Sequence, residues 1–155
     1  MARLEPAAAP QLWQRGIALY YAGRFKDCRA QFESHRTVNP NDVENAVWHF
    51  LCVARGDSLS AARAALLPVG PDARVPMRQV LEMFRGNLTP DAVIAAAGDR
   101  PEAQFYGHLY VGLYDEAIGN KAGALEHIRI AAEDRFAMGG YMHTVAKLHL
   151  ATLRR

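Results

Sequence analysis

The stretch from Trp13 to Phe32, WQRGIALYYAGRFKDCRAQF, carries Gly16 inside a helical pattern and Gly23 at its end, with Cys28 and Phe32 following. A glycine in a helix interior costs about 1 kcal/mol relative to alanine, so its placement calls for a structural reason. The same spacing returns in the second half of the chain. Gly112, Gly119, Ala124 and Ile128 are separated by 7, 5 and 4 residues, as are Gly16, Gly23, Cys28 and Phe32. This predicts one helical hairpin built twice. Gly16 and Gly112 would let a second helix cross closely, and Gly23 and Gly119 would stop the first helix of each pair.

Read outward from this hairpin at a period of 3.6 residues, the chain breaks into short helices punctuated by Gly, Pro and Asn, with no alternating strand pattern. The expected fold class is all-α. Helices are predicted over 11–22 and 24–36, followed by a stop at NPND, in which Asn41 and Glu44 read as an N-cap and its capping-box partner. The third helix, 42–55, places Val43, Ala46, Val47, Phe50, Leu51 and Ala54 on one stripe. Further helices are expected over 58–67, over 76–84 starting at Pro76, and from Pro90 behind a Thr89 cap. Three more are expected over 102–118, over 121–134 and from Gly140 onward. The organisation that follows is a flexible N-terminus over 1–9 and a single domain over 10–155. Its repeat-like units cover about 10–40, 41–69, 75–98 and 102–138, with a capping helix over 140–155.

Half of the 155 residues are apolar and 22% are charged, the make-up of a soluble globular chain. The net charge is +2 and no run of Lys or Arg forms a stripe, so nucleic acid is not an expected partner. MARLEPAAAPQL lacks the apolar core of a signal peptide, and no segment approaches the roughly 18 apolar residues of a membrane span. The expectation is a soluble chain without membrane insertion, cytoplasmic by default; a periplasmic or organellar location would imply a leader already removed. Cys28 and Cys52 fall on neighbouring predicted helices. They are expected as free buried thiols, because a disulfide framework normally shows more cysteines.

The hairpin spacing resembles the tetratricopeptide repeat, a helix-turn-helix unit of about 34 residues. Pro40 stands eight residues after Phe32, where such a repeat closes. The likeness covers Pro10 to Pro40 and Phe105 to Met138, with Leu19 and Asp115 where the repeat prefers tyrosine and Phe136 where it prefers proline. The stretches LWQRGIALYYAGRFKDCRAQF, NPNDVENAVWHFLCVAR and FYGHLYVGLYDEAIGNKAGALEHI together resemble the new lipoprotein I family and its bacterial and plastid relatives. That resemblance implies a right-handed α-solenoid serving as a homodimeric adaptor that holds other proteins together. Cys28 follows RFKD rather than an apolar segment, so the lipid anchor of that family is not implied.

On the first helix Leu12, Gly16 and Leu19 form the inward stripe, leaving Trp13, Ile17, Tyr20 and Tyr21 on an adjoining face. The third helix sets Asn45, Trp48, His49 and Cys52 opposite its aliphatic stripe. With Tyr106, the residues Trp13, Ile17, Tyr20, Tyr21, Asn45, Trp48 and His49 are candidates for a concave partner-binding groove. Trp and Tyr bring large contact area at low entropic cost, and Arg15 and Arg24 stand near the groove mouth for carboxylates. The alternative is that these aromatics are core, packed on the middle helices or on the last one. That last helix, with Tyr141, Val145, Leu148 and Thr152 on one face, either caps the array or lies in the groove.

Metal binding rests on His49 and Cys52, three apart on one face, and Cys28 and His35, seven apart on another. Seven helical residues rise by roughly 10 Å, too far for both ends to reach one ion through bonds of about 2 Å. His143 and His149 read as ordinary amphipathic positions. No nucleophile elbow, phosphate loop, zinc motif or dinucleotide fingerprint is found, and no cofactor is expected. The expected function is therefore a non-catalytic adaptor for a protein or peptide partner. The rivals are a self-associating homo-oligomer, and a metal or small-molecule binder using Cys28, His49 and Cys52.

Overall fold

The computed structural model describes residues 6–155; positions 1–5 of the N-terminal segment lie outside the described residues. All the described secondary structure is helical, as the periodicity requires. The chain divides into two compact units, Met1–Asp72 and Ala73–Arg155. The first holds a 3-10 turn at Pro6–Gln11 and helices α1 (Trp13–Tyr21), α2 (Phe25–Arg36), α3 (Val43–Gly56) and α4 (Leu59–Ala64). The second holds α5 (Met77–Arg85), α6 (Pro90–Ala97), α7 (Pro101–Ala117), α8 (Lys121–Ala131), a 3-10 turn at Asp134–Gly139, and α9 (Tyr141–Leu153).

The α1–α2 hairpin shows why its glycines stand where they do. Gly23 adopts φ +73°, donates to the Tyr20 carbonyl at 3.0 Å, and passes the chain to Arg24, whose N–H reaches the Leu19 carbonyl at 2.9 Å. This pair of bonds is a Schellman stop, which favours glycine at the left-handed position. At the crossing, a Cβ on Gly16 would lie 2.7 Å from the Phe32 ring. Phe32 is buried and cannot retreat. The glycine is therefore the contact surface on which α2 rests.

The α7–α8 hairpin repeats both devices. Gly119 has φ +87° and donates to Glu116 at 3.0 Å, while Asn120 donates to the Asp115 carbonyl at 2.8 Å. A Cβ on Gly112 would meet Ile128 Cγ1 at 2.6 Å and the Ile128 backbone nitrogen at 3.1 Å. Overpacking a closed contact costs about 1–3 kcal/mol, against about 1 kcal/mol of helix propensity gained. Gly112→Ala is accordingly expected to lower the stability of the second unit by up to about 2 kcal/mol, measured by denaturant unfolding. Adding Ile128→Val, which deletes the Cδ1 atom 2.7 Å from that Cβ, should restore part of the loss. A fully additive double variant would refute the close-crossing explanation.

The helix ends follow local chemistry. Thr89 accepts from Ala92 N–H with Pro90 in the first turn, as the sequence predicts, and Ser58 caps α4 by accepting from Ala61 N–H. At α3 the cap is displaced by one residue from the expected Asn41. Asp42 has the extended backbone of an N-cap and its Oδ1 accepts from Glu44 N–H at 2.9 Å. Oδ2 of Asp42 accepts from Asn39 at 2.9 Å, so the carboxylate closes the turn as well as the helix. The fourth helix ends at Ala64 rather than Leu67. The chain beyond it returns to the α2–α3 turn through Arg36 to the Pro68 carbonyl at 3.0 Å, Gly70 N–H to the Pro40 carbonyl at 3.0 Å, and Val43 N–H to Asp72 at 3.1 Å.

Residues 6–9, expected within a flexible N-terminus, join Pro10 and Gln11 in a 3-10 turn whose carbonyls are held by α2. Gln31 Nε2 donates to the Ala9 carbonyl at 2.8 Å, and His35 Nδ1 donates to the Pro10 carbonyl at 2.7 Å. That bond assigns the His35 proton to Nδ1 and leaves Nε2 to accept from Asn39 at 3.4 Å. In the second unit α7 is the central helix, with Phe105, Leu109, Tyr110, Val111 and Leu113 fully buried. Phe105 meets Phe136 at 6.0 Å and His143 at 6.2 Å between ring centres, which seats the 3-10 turn and α9 on α7.

Candidate functional site

The first unit gathers seven of the eight expected groove residues. Tyr20 is the hub: its ring centre lies 5.2 Å from Tyr21, 5.8 Å from Phe25 and 5.4 Å from Trp48, all edge-on. Tyr21 also reaches Trp48 at 6.3 Å. The guanidinium of Arg55 stands 6.0 Å from the Tyr20 ring and 5.5 Å from Phe25, positions where a cation is attracted to an aromatic face. Ile17, Tyr20, Asn45, Trp48 and His49 are buried, whereas Trp13 and Tyr21 are half-buried and form the accessible part of the group. Tyr106 belongs to the second unit, stacked on Tyr110 at 6.4 Å with Arg74 at 5.7 Å from its ring.

The polar residues of α3 sit on one helical face at i, i+3 and i+4. Asn45 Nδ2 donates to the Phe32 carbonyl at 3.3 Å. His49 Nε2 pairs with Glu33 Oε1 at 3.0 Å, an oxygen that also accepts from Arg29 at 2.8 Å. Burial pushes the His49 imidazole below its ordinary range, with Glu33 opposing that shift. Arg29 and His49 hold the Glu33 carboxyl below the usual carboxylate range. Asn45 Oδ1, Trp48 Nε1 and His49 Nδ1 are buried without a hydrogen-bond partner among the described residues. One face of α3 thus presents an acceptor, a donor and an imidazole nitrogen together. Arg15 and Arg24, expected at a groove mouth, are engaged locally: Arg15 donates to Gln31 at 2.8 Å, and Arg24 pairs with Asp27 at 2.6 Å.

The two cysteines are not free thiols. Cys28 of α2 and Cys52 of α3 form a disulfide with their Cα atoms 5.9 Å apart, within the span that such a bridge requires. Cys28 occupies the small-residue position of α2, matching Ala124 in the second hairpin, and α3 packs where that position faces it. In this oxidised state neither sulfur is a thiolate ligand, so Cys28, His49 and Cys52 do not constitute a metal set. No group of three or more His, Cys, Asp or Glu side chains able to hold a metal ion occurs among the described residues.

The second unit contains titratable contacts that the spacing did not reveal. His108 of α7 and His127 of α8 face each other through their Nδ1 atoms at 2.9 Å. One imidazole must donate and the other accept, so the pair is built for at most one proton between those nitrogens. Burial, then the proton of His127, then Arg135 depress His108 to about 4, with Glu133 and Glu126 opposing. Asp115 is 3% exposed, and burial pushes its carboxyl up while the Asn120 side chain acts against it. His143 and His149 are more than amphipathic positions: His143 Nε2 donates to the Glu133 carbonyl at 3.0 Å, and His149 pairs with Glu116 at 2.8 Å.

No described helix is long and apolar enough to cross a membrane. No family model matches this chain, and no curated protein matches it in sequence.

Proposed function

We propose that the protein is a non-catalytic adaptor, a tetratricopeptide-like array that binds a peptide or helix of a partner protein. The observation that carries this reading is the duplicated hairpin, in which Gly16 on Phe32 and Gly112 on Ile128 make the same close crossing behind the same glycine stop. Repetition of one supersecondary unit is the design of solenoids, whose concave faces present side chains from successive first helices. The aromatic group on α1 and α3 suits such a face, with Trp13 and Tyr21 making first contact and Tyr20 and Trp48 supporting them. Apolar anchoring of an amphipathic segment would supply affinity.

The test compares capture from the source organism's extract by wild type and by a Trp13→Ala, Tyr21→Ala double variant shown to be folded by circular dichroism. These half-buried side chains can be trimmed with less risk to the fold than Tyr20 or Trp48. A partner enriched at least about tenfold by wild type over the variant, a loss of about 1.4 kcal/mol, is the expected result. Equal capture by both proteins would reject this face.

Self-association is a second reading, favoured by Met138, Tyr141 and Leu148, which are 55%, 45% and 47% exposed around the start and middle of α9. Exposed apolar residues gathered on α9 and the 3-10 turn that leads into it mark an association surface. Sedimentation should then give a concentration-dependent mass that Leu148→Glu abolishes. The Cys28–Cys52 bridge supports an oxidising compartment over the cytoplasmic default, because cytosolic thiols are kept reduced.

A further inference from the structure

A cavity of about 220 Å3 opens beside the disulfide. Its wall includes Phe25, Lys26 and Arg29 of α2, Cys52 and Val53 of α3, and Asp57 just beyond α3. Cys52 is among the residues lining this cavity and is 1% exposed, while its bonded partner Cys28 is 0% exposed and is not among them. The residues of the wall thus include one half-cystine, two cations and one carboxylate. Arg29 shares its charge with Glu33 at 2.8 Å, which leaves Lys26 as the principal cation toward the cavity.

We propose that the Cys28–Cys52 bond is an exchangeable redox site, entered through this cavity and attacked at Cys52 by small anionic thiols. A thiolate seated beside Lys26 attacks Sγ of Cys52, and the electron pair of the S–S bond leaves on Cys28, which takes up a proton from water. The product is a mixed disulfide on Cys52. A second thiolate then attacks the outer sulfur of that mixed disulfide, forming the small molecule's own disulfide and releasing Cys52 as a thiolate that is protonated in turn. The sum is one protein disulfide and two small thiols converted to two protein thiols and one small disulfide, with two electrons passing into the protein. The reverse sequence, supplied with the oxidised small disulfide, rebuilds the bridge. With two cations against the single carboxylate of Asp57, the wall favours an anionic reagent over a cationic one, and Lys26 and Arg29 stabilise the Cys52 thiolate as the leaving group of the second step.

The consequence is that the covalent link between α2 and α3 follows the thiol poise around the molecule, with the aromatic group on α1 and α3 supported by a bond that can be opened. This inference does not depend on the adaptor reading, since its chemistry is confined to the cavity and the bridge.

The test uses the intact oxidised chain in native buffer, treated with 2-mercaptoethanesulfonate or with cysteamine at equal thiolate concentration. Reactions are quenched by acid, free thiols are alkylated, and the peptides carrying Cys28 and Cys52 are weighed. The expected result is a mixed disulfide on Cys52 with the alkyl group on Cys28, and reaction at least about threefold faster with the anionic thiol. That advantage should disappear in Lys26→Ala and in wild type at about 0.5 M salt, where the screening length falls to a few ångströms. Adduct on Cys28, equal rates for the two thiols, or reduction only after unfolding would each overturn the proposal. Should Lys26→Ala fail to fold, the salt dependence of wild type and the position of the adduct decide the matter.

Discussion

Reduction of the Cys28–Cys52 bond is expected to lower the stability of the first unit by about 3 kcal/mol. The bridge joins residues 24 apart in sequence, and closing a loop of that size removes roughly 3–3.5 kcal/mol of conformational freedom from the unfolded chain. The folded side of the equilibrium changes less, because Phe32 of α2 and Val47, Phe50 and Leu51 of α3 are buried independently of the bond. Both tryptophans of the chain, Trp13 and Trp48, lie in the first unit. Tryptophan emission during urea unfolding therefore reads that unit without requiring both units to melt together. The oxidised and fully reduced protein should give midpoints separated by more than 1 M urea, given slopes of about 1–3 kcal/mol per molar for domains of this size. A Cys28→Ala, Cys52→Ala double variant should fall with the reduced form. Coincident midpoints would mean that the bridge adds nothing and that helix packing alone holds α2 on α3.

How much of this was legible beforehand depends on which physical cause decides each feature. The hairpins were legible because glycine is read twice, once as a missing Cβ and once as a left-handed stop. Gly16, Gly23, Gly112 and Gly119 each perform the role that the repeated offsets implied. The Asp42 cap was missed by one residue because Asn41 and Asp42 are both good caps by type, and only the turn geometry selects between them. The disulfide was not legible from a count of two cysteines. It depends on the rotation of α3 about its own axis, which brings Cys52 to Cys28 and leaves Asn45 and His49 to face Phe32 and Glu33. Seven of the eight groove candidates share the first unit because residue type and helical face on α1 and α3 point to them, while Tyr106 belongs to the second unit; burial is a tertiary quantity that periodicity does not contain. The His108–His127 contact was equally hidden. Its two members lie 19 apart, and their meeting follows only once the Gly112–Ile128 crossing fixes the phase of α8 against α7.

That histidine pair sets the second large expectation: the second unit should lose about 2–3 kcal/mol of stability as pH falls from 6.5 to 4. In the folded chain His108 titrates at about 4, against 6.5 when unperturbed. Between those values the unfolded chain carries a proton at this site that the folded chain refuses, so acid draws the equilibrium toward unfolding. The contribution is fully present above 6.5, declines through the interval, and is exhausted below 4. His127 of α8 faces the ring, and the charges of Glu126, Glu133 and Arg135 act on it through space. The two carboxylates moderate the effect, and solvent at the part-buried ring reduces it below the full shift of roughly 3 kcal/mol. Asp115 acts in the opposite sense, since a carboxyl raised by burial gains relative stability as pH falls. It is common to wild type and variant and cancels in their difference. His108→Gln keeps a side chain able to hydrogen-bond His127 but removes the titration. Its unfolding free energy should therefore change less between pH 6.5 and 4 than that of wild type, by the 2–3 kcal/mol or so given above. Parallel pH profiles for the two proteins would show that the imidazoles accept a second proton freely and that their contact at 2.9 Å does not gate it.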